Sequence, residues 1–204
     1  MADRVPLDFD PPVRRLRALL LGITDDDLGS PTPCDAWTVG DLLDHLMDTA
    51  RAYTQAAQKL TDAPGTSTPL PEPSGGDLPL HWRSRLPVLL EGLATAWQRP
   101  AAWTGSAQVG GAALPAATAG MAAAKELTMH GWDLARATDQ DFAADPRILE
   151  ALIEAHCPIR DGPRPELGRD EPSLLDQALV LTGRDPAWSP RRRGLFRPST
   201  SAVE

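Results

Sequence analysis

Hydrophobic positions along the chain recur mainly at helical spacing. Val13, Leu16, Leu19 and Leu20 follow one another three and four apart behind Pro11 and Pro12, which suit a first helical turn, so a first helix is expected from Pro11 to about Gly22. The Asp-, Pro-, Ser- and Thr-rich stretch TDDDLGSPTPCDAW reads as a loop, and Thr38 at its end is an N-cap for a second helix from Val39 to Leu60. Ala63 to Gly76 is punctuated by Pro, Gly, Ser and Thr and reads as a long surface loop. Leu80, Leu86, Leu89, Leu90, Leu93 and Trp97 predict a third helix, with Pro87 imposing a kink or a late start. Gly105, Gly110 and Gly111 make 103–115 a connector or a short hairpin. A fourth helix, rich in alanine, is expected from Ala116 to Thr138, and two short ones around Pro146–Ala155 and Ser173–Thr182. No internal repeat and no convincing alternating strand accompanies them. The expected class is therefore all-α, a four-helix bundle with additional short helices, forming one domain over 1–190 and leaving 191–204 as a tail.

Composition narrows the function classes. The 204 residues carry 20 Lys plus Arg against 28 Asp plus Glu, and the net charge of -8 offers no basic stripe for nucleic acid or an anionic membrane beyond the short Arg191, Arg192, Arg193 run. No glycine-rich phosphate loop supports a kinase or a nucleotide-dependent dehydrogenase. Cys34 and Cys157, the two cysteines, lie too far apart in sequence for a metal knuckle, and their scarcity gives no disulfide framework. No leader-like or membrane-spanning run is apparent, so the expected location is the cytoplasm.

The chemistry-bearing residues lie on the second and fourth helices. On the fourth, Glu126 and His130 are one turn apart and share a face with Gly120, Ala123, Leu127, Leu134 and Ala137, opposite Lys125, Trp132 and Arg136. A carboxylate on an apolar face needs compensation, which a divalent cation shared with His130 would supply. A buried hydrogen-bonded Glu–His pair would serve as well. On the second helix the apolar stripe is Leu42, Leu46, Ala50, Tyr53 and Ala57, and His45 lies on its flank beside Thr49, Ala52 and Ala56, where it could add a third ligand or be an ordinary core histidine. His81 and His156 read as surface or capping residues. Asp41, Asp44 and Asp48 could orient metal ligands, although Asp41 is where the helix dipole favours an acid. Arg51 could neutralise an anionic substrate or simply be solvated.

Two blocks, TPCDAWTVGDLLDHL at 32–46 and KELTMHGWDLARAT at 125–138, resemble the signatures of the DinB-like metal-binding superfamily. They most resemble its actinobacterial branch containing mycothiol-dependent maleylpyruvate isomerase, to which LVLTGRDPAW at 179–188 is also similar. The resemblance implies a four-helix bundle with one divalent metal, Zn or Ni, held by His45, Glu126 and His130, and possible use of mycothiol. It assigns Cys34 and Trp37 to a turn with a packing role, identifies no protein base, and places Asp139 where the branch tends to have Gly. The isomerase carries a second domain for which 204 residues leave no room, so maleylpyruvate isomerisation itself is not expected. What the resemblance implies is thiol transfer, addition or isomerisation on a small electrophile. A metal-dependent hydrolase or lyase using bound water, or a non-catalytic binder of metal or a small ligand, remains open, as does a homodimer.

Overall fold

The computed structural model describes residues 6–34, 37–62, 66–156 and 172–190. Its order is α1 (Asp10–Gly22), α2 (Val39–Ala57), α3 (Trp82–Trp97), a 3₁₀ turn (Pro100–Trp103), β1 (Ser106–Val109), β2 (Ala112–Pro115), α4 (Ala116–Ala137), α5 (Pro146–His156) and α6 (Leu174–Leu181). The all-α expectation holds, and of the connector and the short hairpin expected for 103–115 the structure shows the hairpin. The 103–115 connector is an antiparallel hairpin pairing Ser106 with Pro115 and Val109 with Ala112, turned by Gly110 and Gly111 with φ of 59° and 83°. Four-residue strands with little alternation leave only this glycine pair as a signal.

The first four helices close a ring in which α1 packs on α3 and α4, and α2 packs on the same two. Leu42, Leu43, Leu46, Leu86, Leu90, Leu93 and Leu127 fill its centre. Each such side chain contributes about 1.5–3 kcal/mol on leaving water. Phe9, Trp97 and Trp103 form an aromatic cluster, and the two indole nitrogens donate to Tyr53 O and Trp97 O. No helix among the described residues is long and apolar enough to cross a membrane.

Several boundaries shift for identifiable reasons. The second helix ends at Ala57 because Lys59 turns left-handed, φ 61°, with its Nζ donating to Ala102 O. The third helix begins at Trp82, leaving Leu80 exposed, and Pro87 sits inside it. The fourth helix departs most from expectation. Trp132, placed opposite the apolar face by periodicity, is buried, and Leu127 to Ala135 are buried without a break. Neighbours on every side account for this: α1, α2, the hairpin and α5 pack on α4, and Arg136 donates from Nε and Nη2 to Trp188 O. Cys157 and the Arg191–Arg193 run lie outside the described residues.

Candidate metal centre

A capping box starts α2 and fixes its phase. Thr38 Oγ1 accepts from Asp41 N–H, while Asp41 Oδ2 accepts from Thr38 N–H at 2.7 Å. Asp41 Oδ1 also accepts from Gly75 N–H, so its role is structural, as the dipole argument anticipates. Asp44 accepts from Ser74 N–H and Asp48 pairs with Arg51 on its own helix. These partners of Asp41, Asp44 and Asp48 lie outside the His–Glu cluster, and Arg51 is occupied by its neighbour. His81 is exposed at the start of α3, and His156 Nδ1 lies 2.8 Å from Leu152 O at the end of α5.

From this start, His45 projects toward α4 and meets Glu126 and His130. His45 Nε2 is 3.1 Å and His130 Nε2 is 3.0 Å from the same oxygen, Glu126 Oε2, and one ligand atom from each residue lies within 4.8 Å of the others. Their side chains are only 15%, 20% and 8% exposed for His45, Glu126 and His130. Thr49 Oγ1, one turn beyond His45, is 3.2 Å from His45 Nε2. The Trp37 ring lies 4.8 Å from the His45 ring and 5.9 Å from that of His130, so the packing role expected of Trp37 is a role at this cluster.

Electrostatics accord with the geometry. Burial opposes the Glu126 charge, but hydrogen bonds from His130 and His45 and their positive charge outweigh it and hold the carboxyl well below the usual carboxylate range. Burial likewise opposes charge on His130, yet its bonds to Asp133 and Glu126 raise its pKa. Asp133 and Glu126 thus favour the protonated ring, with Nδ1 facing Asp133 Oδ2 and Nε2 facing Glu126 Oε2.

The sequence reading missed Asp133 and Arg184. Asp133 is fully buried and its Oδ2 accepts from His130 Nδ1–H at 2.9 Å, which directs Nε2 at Glu126. This is the carboxylate–histidine arrangement that orients imidazole ligands. A signal existed: Asp133 follows Glu126 by seven residues, about 20° away around a helix of 100° per residue. Arg184 Nε and Nη2 donate to Asp133 Oδ1 and Oδ2 at 2.9 and 2.7 Å. The Cys34 turn also approaches closely, since Cys34, His130 and Asp133 form a second set with ligand atoms within 4.8 Å of one another. Cys34 O accepts from Trp37 N–H and Thr32 Oγ1–H, consistent with a structural turn.

The molecule is thus of the class of helical proteins in which two imidazoles and a carboxylate converge from two long helices. The mycothiol maleylpyruvate isomerase N-terminal domain family matches residues 9–135, more than half of the chain, and the protein belongs to that family. Two uncharacterized proteins from two strains of Mycobacterium tuberculosis, MT0763 and Rv0738, are each 29% identical over 194 residues, covering 82% of this chain and 90% of theirs. Crystal structures of mycothiol-dependent maleylpyruvate isomerase and of a histidine-to-alanine mutant share the fold, with TM-scores of 0.53 and 0.52 at 18% identity. Those alignments cover 71% of this chain and 65% of the isomerase, so the chain spans less than two thirds of that protein's length.

Proposed function

We propose that the protein is a divalent-metal-dependent enzyme in which His45, Glu126 and His130 hold one ion and a small thiol such as mycothiol reacts beside it with a small electrophile, by transfer, addition or isomerisation. The observation that carries this reading is the convergence of His45 Nε2, Glu126 Oε2 and His130 Nε2, with the far nitrogen of His130 already held by Asp133. Two imidazole nitrogens and one carboxylate oxygen fit Zn or Ni and leave ligand positions open.

When bound, such an ion supplies Lewis acidity, lowering the pKa of a thiol or water that it ligates and so providing a nucleophile near neutral pH. The protein's own groups do the rest. The two imidazoles hold Glu126 ionised well below the usual carboxylate range, and Asp133 keeps the His130 ring turned. Glu126, Asp133 and Arg184 together carry one net negative charge, so the buried set balances a divalent ion plus one anionic ligand, as a thiolate is. Trp37 packs against both imidazoles.

The test is elemental analysis of untagged protein beside His45→Ala and Glu126→Ala, then mycothiol titration of the cobalt-substituted form. About one ion per wild-type chain, lost in both variants, with a cobalt spectrum shifted by mycothiol, is the expected result. Metal that ignores thiols leaves the water-based hydrolase or lyase, or a non-catalytic binder, in its place. No metal in a folded, reconstituted protein overturns the proposal.

A further inference from the structure

The family match ends at residue 135, yet the cluster does not. The described segment 172–190 returns to α4 through two arginine contacts: Arg136 donates to Trp188 O, and Arg184 reaches Asp133. Its own geometry is well fixed. Ser173 and Asp176 form a capping box at the start of α6, and Arg184 N–H donates to Leu179 O at 2.8 Å after the helix ends. Arg184 Nη1 also donates to Thr182 O at 3.2 Å, and Thr182 Oγ1 to Ala178 O. The guanidinium therefore approaches from a pinned backbone.

We propose that Arg184 is a positioning residue of the centre, which sets the His130 ring through Asp133, and that the segment 172–190 is thereby part of the site. The proposal rests on the metal reading above and adds to it a component from outside the matched domain. The argument is geometric. A lone carboxylate bonded to His130 through one oxygen remains free to rotate about its terminal torsion. Arg184 engages both oxygens in a planar fork, which fixes the carboxylate plane. With that plane fixed, Oδ2 remains 2.9 Å from Nδ1, and Nε2 points at Glu126 Oε2 and toward His45. Arg184 Nη2 itself lies 3.4 Å from His130 Nδ1, closing the space into which the ring would swing. Both partners are sequestered, the Asp133 side chain entirely and that of Arg184 to all but 12%, so solvent offers no competing donor. Lysine could replace the charge but not the fork.

The experiment compares wild type with Arg184→Gln and Arg184→Lys in the full chain, using zinc affinity by chelator competition, the d–d spectrum of the cobalt form, and ¹⁵N ring signals of His130 in metal-free protein. In Arg184→Gln, zinc binding is expected to weaken about 10- to 100-fold, the range for groups that orient a ligand, with a shifted cobalt spectrum and averaged His130 signals. Arg184→Lys, which keeps the buried charge and guards against misfolding, should recover part of the affinity but not the wild-type cobalt spectrum. Unchanged affinity and spectrum in a folded Arg184→Gln protein overturn the proposal. If wild type binds no zinc, the metal reading fails by itself, and the ring signals still decide whether Arg184 sets the ring: averaging in Arg184→Gln supports it and unchanged signals refute it.

Discussion

Replacing Glu126 by Gln keeps the outline of the side chain while removing the charge to which two imidazoles point. In metal-free protein, the two groups it links have opposite pH windows. Glu126 is depressed, so its contribution is present above the ordinary value of 4.5 and is lost only as the pH falls through its lower folded value. His130 is raised, so its contribution is complete below 6.5 and is lost as the pH rises through its higher folded value. At pH 6 both are intact. Removing one partner of a buried ion pair costs about 3–5 kcal/mol, and the 20% exposure of Glu126 places it at the lower end, about 3 kcal/mol. At about 2–4 °C per kcal/mol for a chain of this size, the variant should melt about 6–12 °C lower. Toward pH 9 the His130 contribution declines, so the difference should shrink. Calorimetry of chelator-treated protein at both pH values measures it. A Gln variant as stable as wild type at pH 6, or a gap that widens toward pH 9, would refute the charge assignment.

Gly120→Ala places a Cβ 2.5 Å from Trp103 Cζ3 and 2.9 Å from Trp97 Cζ3, both in rigid rings packed in the core. Even after the gain in helix propensity it should destabilise by about 1–2 kcal/mol and alter the near-UV dichroism of the tryptophans. Asp139 occupies the left-handed position after α4 with φ 53°, so Asp139→Gly should raise the unfolding free energy in urea by about 0.5–1 kcal/mol, and a decrease would contradict the strain argument. Thr38→Ala removes the cap of α2 and should cost about 1 kcal/mol in urea unfolding, with no loss if Asp41 alone suffices.

The helices were legible because their apolar residues repeat at three and four and their ends carry recognisable signals, Thr38 and Ser173 above all. What the pattern could not show was burial imposed from outside a helix. Trp132 looks peripheral on a helical wheel, yet it is buried because other elements pack on α4 from several sides. The three proposed ligands were visible because Glu126 and His130 sit one turn apart on an apolar face and His45 lies on the flank of a strongly periodic helix. Asp133 was legible in principle, seven residues after Glu126, but an acid beside Trp132 and near Arg136 reads as an exposed pair. Arg184 was not legible as a partner, since 51 positions separate it from Asp133 and no local pattern marks the contact. The resemblance of LVLTGRDPAW to the same branch drew attention to that block without assigning its arginine a role.

The geometry of the cluster explains why these supporting residues matter. Both Nε2 atoms already face one carboxylate oxygen, held there by hydrogen bonds that their ring protons donate. An ion held by His45 and His130 would take the place of both Nε2 protons, while the Nδ1 of His130 keeps its bond to Asp133. The two nitrogens of one ring thus serve opposite purposes, and only a fixed ring can keep them apart. Helical ligand positions give the coarse placement, and the capping box of α2 sets the angle at which His45 enters. The last degree of freedom, rotation of the His130 ring, is restrained by Trp37 on one side and by Asp133 on the other. On the proposed metal reading, binding energy that would otherwise be consumed in ordering the ligands would be retained as affinity, and Arg184 would contribute to it through its fork on Asp133.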